Sequence, residues 1–146
     1  MHHSIINLVS IQNTLKTNKA NIIAVSKTFP VSEILPLVEQ KQIHFGENKV
    51  QEAVEKWTKI KREFKDIKLH MIGKLQTNKV KFVVPLFDYI HSLDSIKLAQ
   101  KINQEQNKIK KNLKIFVQVN IGNEEQKSGI KVEDLEEFYQ KCMLDF

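Results

Sequence analysis

A lysine that follows a buried strand can serve as an amine nucleophile, and Lys27 is placed for that chemistry. Ile22-Ile-Ala-Val-Ser-Lys27 sets four apolar residues, three of them β-branched, ahead of a small polar residue and the amine. This is the pattern of a strand buried on both faces, and Thr28-Phe29-Pro30 closes it. A lysine amine ordinarily titrates near ~10.4 and is protonated at neutral pH. Burial among apolar neighbours disfavours the charged form, and the neutral amine can then attack an aldehyde. The other uses of such a lysine are electrostatic binding of an anion and plain solvation. His44, His70 and His91 are further candidate bases, each on an expected strand, where a histidine is commonly a satisfied residue of the core or its edge. Other chemistry is thinly represented. The chain has four glycines and one cysteine, lacks the phosphate-loop and dinucleotide glycine patterns, and has no Cys/His set with zinc spacing. His2 and His3 could touch a metal, although adjacent histidines near a terminus are commonly disordered.

The elements that must position Lys27 follow from the hydrophobic periodicity. Ile5, Leu8, Val9, Gln12 and Leu15 trace a mostly apolar helical stripe, and Asn18-Lys-Ala-Asn21 turns the chain into the first strand. Ile34, Leu35, Leu37 and Val38 mark a helix that Ser32 could cap, with Pro36 awkward near its first turn. Gln42-Ile-His-Phe45 is a second strand ending in Gly46-Glu-Asn48, and Val50, Ala53, Val54 and Trp57 give the next helical face. Ile67 to Ile72 is a third strand closed by Gly73, followed by a helix over 76–84. Phe87 to His91 is a fourth strand, Ser92 to Asn107 a helix, and Leu113 to Ile121 the fifth strand. Gly122 to Gly129 is a polar loop, and Val132, Leu135 and Phe138 begin a last helix.

Strand starts near 22, 42, 67, 87 and 113 make a βα repeat. Such a repeat builds either a doubly wound open sheet or a (β/α)₈ barrel, and the spacing alone does not separate them. Both gather functional groups at the carboxyl ends of the strands. Here those ends are Lys27, Gly46 to Asn48, Gly73, His91 to Ser92 and Asn120 to Gly122, all polar or glycine.

Composition sets limits. The 146 residues suit one domain that buries roughly two-thirds of its unfolded surface. A single cysteine forms no internal disulfide, which fits a reducing, cytoplasmic setting, and Cys142 is expected on a helix as a small hydrophobe. The amino-terminal segment lacks a basic region and an unbroken apolar stretch, and no run is long enough to span a membrane. The net charge of +6 and pI near 9.3 invite a nucleic-acid reading. Arg62 is the lone arginine among 23 cations, and the lysines are scattered over expected helix surfaces. That pattern favours solvation over a base-reading or phosphate-gripping face.

Five blocks carry a resemblance. Ala24-Val-Ser-Lys-Thr28, Phe45-Gly-Glu-Asn48 with Gln51-Glu52, His70-Met-Ile-Gly73 with Leu75-Gln76 and Asn78-Lys79, Ile90-His-Ser92 with Asp94-Ser95, and Val117-Gln-Val-Asn-Ile121 with Lys127-Ser-Gly129 closely resemble the pyridoxal-phosphate homeostasis protein family. The match runs from about Ile22 to Ile130, with the blocks in the family's order. The resemblance implies a (β/α)₈ TIM-barrel-type domain like the amino-terminal domain of alanine racemase, here incomplete, with about five of eight βα units in a single partial domain over 1–146. It implies pyridoxal 5′-phosphate (PLP) held as a Schiff base on Lys27. Asn48 is then expected to approach the cofactor, Ile72 and Gly73 to line the pocket floor, and His91, Ser92 and Asn120 to complete the rim. Lys127, in the Lys-Ser-Gly loop, becomes a candidate second amine that receives or releases the aldehyde. Leu69 stands where an aromatic residue is expected before His70.

The implied role is a PLP carrier and buffer in vitamin B6 and amino-acid balance, without established turnover, with PLP-dependent apoenzymes as acceptors. The racemase draws an opposing acid/base tyrosine from a second domain that nothing here supplies. A barrel of this type takes roughly 250 residues, and its phosphate site follows the last strands. A chain of five units is therefore expected to hold PLP weakly, through Lys27 alone, or not at all, unless a complementary carboxyl-terminal half or self-association closes the barrel. The alternatives are a PLP-dependent racemase or lyase acting on amino acids, and a lysine-rich nucleic-acid-binding module.

Overall fold

The computed structural model describes residues 1–17 and 19–146; Asn18, in the expected first turn, lies outside the described residues. Helix α1 (His3–Thr14) precedes strand β1 (Ala24–Val25), and the chain then alternates through α2 (Val31–Glu39), β2 (His44–Glu47), α3 (Val50–Glu63), β3 (Lys68–Met71), α4 (Val80–Leu86), β4 (Tyr89–Leu93), α5 (Ile96–Ile109) and β5 (Lys114–Val117). A short second sheet, β6 (Val119–Asn120) with β7 (Ile130–Lys131), leads into α6 (Leu135–Asp145).

The five strands are all parallel and lie in the order β1-β2-β3-β4-β5. A doubly wound sheet reverses its strand order at a switch point; this sheet never reverses. Each strand pairs with the one before it in sequence, which is the wall of a barrel, five βα units long.

Alternation along the strands divides the sheet into two faces. The helix-covered face carries Phe45, Leu69 and Ile90, each fully buried, against Trp57 of α3, Val80 and Val83 of α4, and Leu98 and Ile102 of α5. Phe45 and Trp57 rings meet at 4.8 Å. The other face is open. Val25 is 48 % and Phe116 51 % exposed, so the expectation that β1 is buried on both sides does not hold.

Several boundaries differ from the sequence expectation, with local causes. β1 is shorter than 22–27 because parallel pairing is confined to Ala24–Phe45 and Val25–Gly46. β4 runs two residues past His91, so His91 and Ser92 lie within the strand, and α5 starts at Ile96 with Ser95 as its cap, accepting from Leu98 N at 3.2 Å. Ser32 does not cap α2: the helix begins at Val31 with Pro30 at the cap position. Pro36 and Pro85 both lie inside helices, where the buried faces of Ile34 and Val38, and of Val80, Val83 and Val84, outweigh the lost backbone bond. The expected fifth strand breaks after Val117, where Gln118 N bonds back to Leu93 O and the chain turns to pair β6 with β7. Cys142 is half-buried on α6, packed against the core as expected.

Candidate functional site

Lys27 directly follows Ser26, the last residue to bond across to β2, through Ser26 N to Gly46 O at 3.0 Å. Alternation with Val25 places Lys27 on the open side of the sheet, and there it is exposed. The burial expected to favour a neutral amine is absent from this chain, because the open face leaves water beside the strand end. Thr28 turns the chain sharply with a φ of 67°.

Asn48 and Gly73 are brought together. A Cβ at position 73 would stand 2.5 Å from Asn48 O and 2.8 Å from Asn48 Cα, so only glycine lets the ends of β2 and β3 approach this closely. Ile72 folds over Gly46, its Cδ1 3.1 Å from where a Cβ there would lie. Among the described residues, three polar side-chain atoms are buried without a hydrogen-bond partner: Glu47 Oε2 and Asn48 Oδ1 at the end of β2, and Ser92 Oγ within β4. Buried polar atoms are nearly always satisfied, so each orphan calls for an explanation, such as strain, a functional role or a bound partner.

His91 is engaged in a ladder on the open face. His44 Nδ1 lies 2.9 Å from His70 Nε2, and His70 Nδ1 lies 2.8 Å from His91 Nε2. His70 stacks on Tyr89 with ring centroids 4.0 Å apart, and His91 stacks on Phe116 at 4.7 Å. A neutral imidazole carries one N–H, so His70, bonded at both nitrogens, donates one way and accepts the other. Burial, reinforced by the charges of His91 and His44 and opposed by Asp88, pushes the His70 pKa down to about 4. Burial lowers that of His91 as well.

Asn120 and Lys127 form a separate group. The Asn120 amide donates to Glu124 O at 2.8 Å and reaches Lys127 O at 3.5 Å, while its Oδ1 accepts from Glu124 N at 3.4 Å. Asn120 therefore braces the 122–129 loop with the group expected to face a ligand. Lys127 is exposed, with Glu124 Oε2 at 3.9 Å. The loop is tied to the end of β4 by Gly129 N donating to Asp94 Oδ2 at 3.3 Å. Gly129 has a φ of 123°, which strongly favours glycine. His2, His3 and Glu33 bring possible ligand atoms together, but His2 Nδ1 accepts from Ser4 N. Its Nε2 faces Glu33 Oε2 at 3.3 Å. The pair caps α1 and docks it on α2.

The alanine racemase N-terminal domain profile matches residues 5–145. The chain belongs to that family. Its curated relatives include the pyridoxal phosphate homeostasis proteins of Haemophilus influenzae, 41 % identical over 124 residues that make up 85 % of this chain and 50 % of the relative, and of Escherichia coli K12, 37 % identical over 121 residues, 80 % of this chain and 50 % of the relative. The chain spans about half the length of these curated relatives. PipY of Synechococcus elongatus PCC7942, solved with PLP bound, superposes with a TM-score of 0.77 at 32 % identity, covering 88 % of this chain and 60 % of PipY. Alanine racemase of Clostridium difficile 630, at 18 % identity and a TM-score of 0.72 over 92 % of this chain and 35 % of its own, shares the fold.

Within this alanine racemase N-terminal domain, sequence reasoning missed a polar cluster behind the sheet: Glu47, Ser26, Lys56 and Trp57. Glu52, whose pKa is lowered chiefly by its hydrogen bond to Lys56, belongs to its rim. A signal was available in the parity of β2, because Glu47 alternates in step with the core residue Phe45 and must point toward the helices.

Proposed function

We infer that this chain binds pyridoxal 5′-phosphate through Lys27 and serves vitamin B6 and amino-acid homeostasis. The observation that carries the reading is a pair of buried polar atoms without a partner, Asn48 Oδ1, one residue past the strand β2 that pairs with β1, and Ser92 Oγ, within β4. They fit a cofactor rich in polar groups. When bound, PLP supplies an electron-withdrawing ring that stabilises negative charge on an attached amino acid. Lys27 would hold the cofactor through its amine, whose condensation with the aldehyde replaces C=O by C=N and releases one water. Asn48 orients, Ile72 and Gly73 form the floor, and Ser92 accepts or donates at the rim. Asn120 and Lys127 act from the loop, Lys127 as a second amine near the mouth.

In barrels of this type the phosphate site follows strands seven and eight, and this sheet has five strands. Binding by this chain therefore leans on Lys27 and is weak. The same proposal covers residues 1–146 as one partial barrel domain, a cytoplasmic setting, PLP-dependent apoenzymes as acceptors, and closure by a complementary half or a second copy. Among the described residues, no helix is long and apolar enough to cross a membrane.

The test is an absorption spectrum with added PLP, followed by borohydride reduction and peptide mapping. Reduction is expected to fix PLP mainly on the Lys27 peptide, and Lys27→Ala to leave only scattered adducts. Free PLP after desalting, or adducts spread evenly over surface lysines, overturns the reading.

A further inference from the structure

Behind the sheet, on the face opposite Lys27, a carboxylate is shut away from water. Glu47 is 0 % exposed and Ser26 4 %. One oxygen, Glu47 Oε1, accepts from Ser26 Oγ at 2.7 Å and Trp57 Nε1 at 2.9 Å and forms an ion pair with Lys56 Nζ at 2.8 Å; Oε2 is buried without a partner. Taking an ion pair out of water is expensive, and apolar side chains of similar volume commonly stabilise a core as well or better. Stability alone does not account for the pair.

Its connections do. Lys56 Nζ also donates to Ser26 O at 2.8 Å and Phe29 O at 3.2 Å, and it pairs with Glu52 Oε1 at 2.9 Å. Glu52 Oε1 accepts from Thr28 N at 2.6 Å. Residues 26, 28 and 29 are thus each gripped from the helix side. Lys27 stands between them with its side chain free on the other side. Thr28 keeps a left-handed φ of 67°, a conformation that a β-branched residue holds only where its surroundings over-determine it.

We propose that Glu47 and Lys56 are positioning residues for Lys27, forming a buried clamp that fixes the 26–29 turn and so aims the Lys27 amine at the strand-end site. The inference rests on Lys27 as the attachment point of PLP. Neither Glu47 nor Lys56 touches the cofactor; both act through backbone atoms. The clamp does the orienting that burial of Lys27 does not do in this chain.

The test compares the unmodified chain with Glu47→Gln, Lys56→Met and Glu52→Ala, using two readouts. The first needs no cofactor: amide hydrogen exchange at residues 26–29 is expected to speed up by about tenfold or more in the variants, while Leu69 and Met71 on β3 keep their protection. A merely structural loss would speed both regions together. The second is the share of borohydride-fixed PLP found on Lys27, expected to fall by about fivefold, toward that of an ordinary surface lysine. Lys56→Arg, which retains the charge and the donors, is expected to restore much of both signals. Should Glu47→Gln or Lys56→Met not fold, Glu52→Ala decides, since it removes the acceptor for Thr28 N and the rim charge paired with Lys56 while leaving the buried carboxylate in place. Unchanged exchange at 26–29 in folded variants overturns the clamp, as does equal loss of protection on β3. If the unmodified chain itself fixes no PLP on Lys27, the functional reading fails, and the exchange experiment still judges the clamp.

Discussion

His70 is held neutral by its place in the sheet, and that has a consequence for stability. Its folded pKa of about 4 lies below the ordinary histidine value of 6.5. Between those two pH values the unfolded chain binds a proton that the folded chain refuses, so stability falls as pH drops from 6.5 toward 4 and levels off below it. Above 6.5 the group contributes no slope. His70 is only 3 % exposed, so little water screens the effect, and on the order of a few kcal/mol is expected across the window. Urea midpoints measured from pH 7 to 4 test this: His70→Asn is expected to flatten the decline, and an unchanged slope in that variant would show that other groups control it. At this scale the sequence was informative where chemistry stands at a strand end. Lys27, Asn48 and Gly73 could be singled out from residue type and position, whereas Ser92, read the same way, lies within β4. The ladder was not foreseen, although its three histidines were each noted, because Nδ1-to-Nε2 contacts depend on which residues of neighbouring strands share a face. Glu47 was missed for a related reason. A glutamate between glycine and asparagine reads as part of a polar rim, and only Trp57 and Lys56, one turn into the following helix and beyond, make it a core residue.

Elements were legible to the extent that periodicity governs them. The βα alternation and the helical faces of α3 and α5 emerged from spacing, since the apolar stripes of Ala53, Trp57 and Ile60, and of Leu98, Ala99 and Ile102, are the ones buried. Strand ends were less so, because where a strand stops is decided by its partner. The junction of β2 and β3 shows how narrow that decision is. A methyl at position 73 would meet Asn48 O at 2.5 Å and Asn48 Cβ at 2.7 Å, and much of that obstacle is backbone, which cannot swing aside. Gly73→Ala is therefore expected to push the end of β3 from that of β2 and to cost about 2–3 kcal/mol. Chemical unfolding of the variant measures it, and a loss under about 0.5 kcal/mol, the range of an ordinary surface change, would mean that the two ends are not in fixed contact. The same substitution displaces Asn48 Oδ1, so it is also expected to weaken retention of PLP.

At the scale of the whole molecule, the repeat length could not choose between a doubly wound sheet and a barrel wall, because both use the same βα unit. The strand order chooses, and order is a long-range property that no local pattern encodes. That order also leaves something unfinished among the described residues: β1 and β5 are each paired on one side only, and Val25 and Phe116 stand 48 % and 51 % exposed on the open face, with Ile121 at 84 % beyond β5. Unpaired parallel edges beside exposed apolar side chains recruit other strands unless charge prevents it. Lys114 on β5 supplies some charge, but its ammonium lies 5.5 Å from the Tyr89 ring centroid, turned along the sheet rather than guarding the edge. The 146-residue chain is thus expected to self-associate through this face as its concentration rises. Sedimentation velocity over a hundredfold concentration range, about two decades, should show the weight-average coefficient climbing, and Val25→Lys with Phe116→Lys should move the transition up by about tenfold in concentration. The two positions lie near opposite edges of the sheet, so the double variant tests the face as a whole. A coefficient that stays at the monomer value throughout would mean that β1 and β5 are protected in solution by the chain itself.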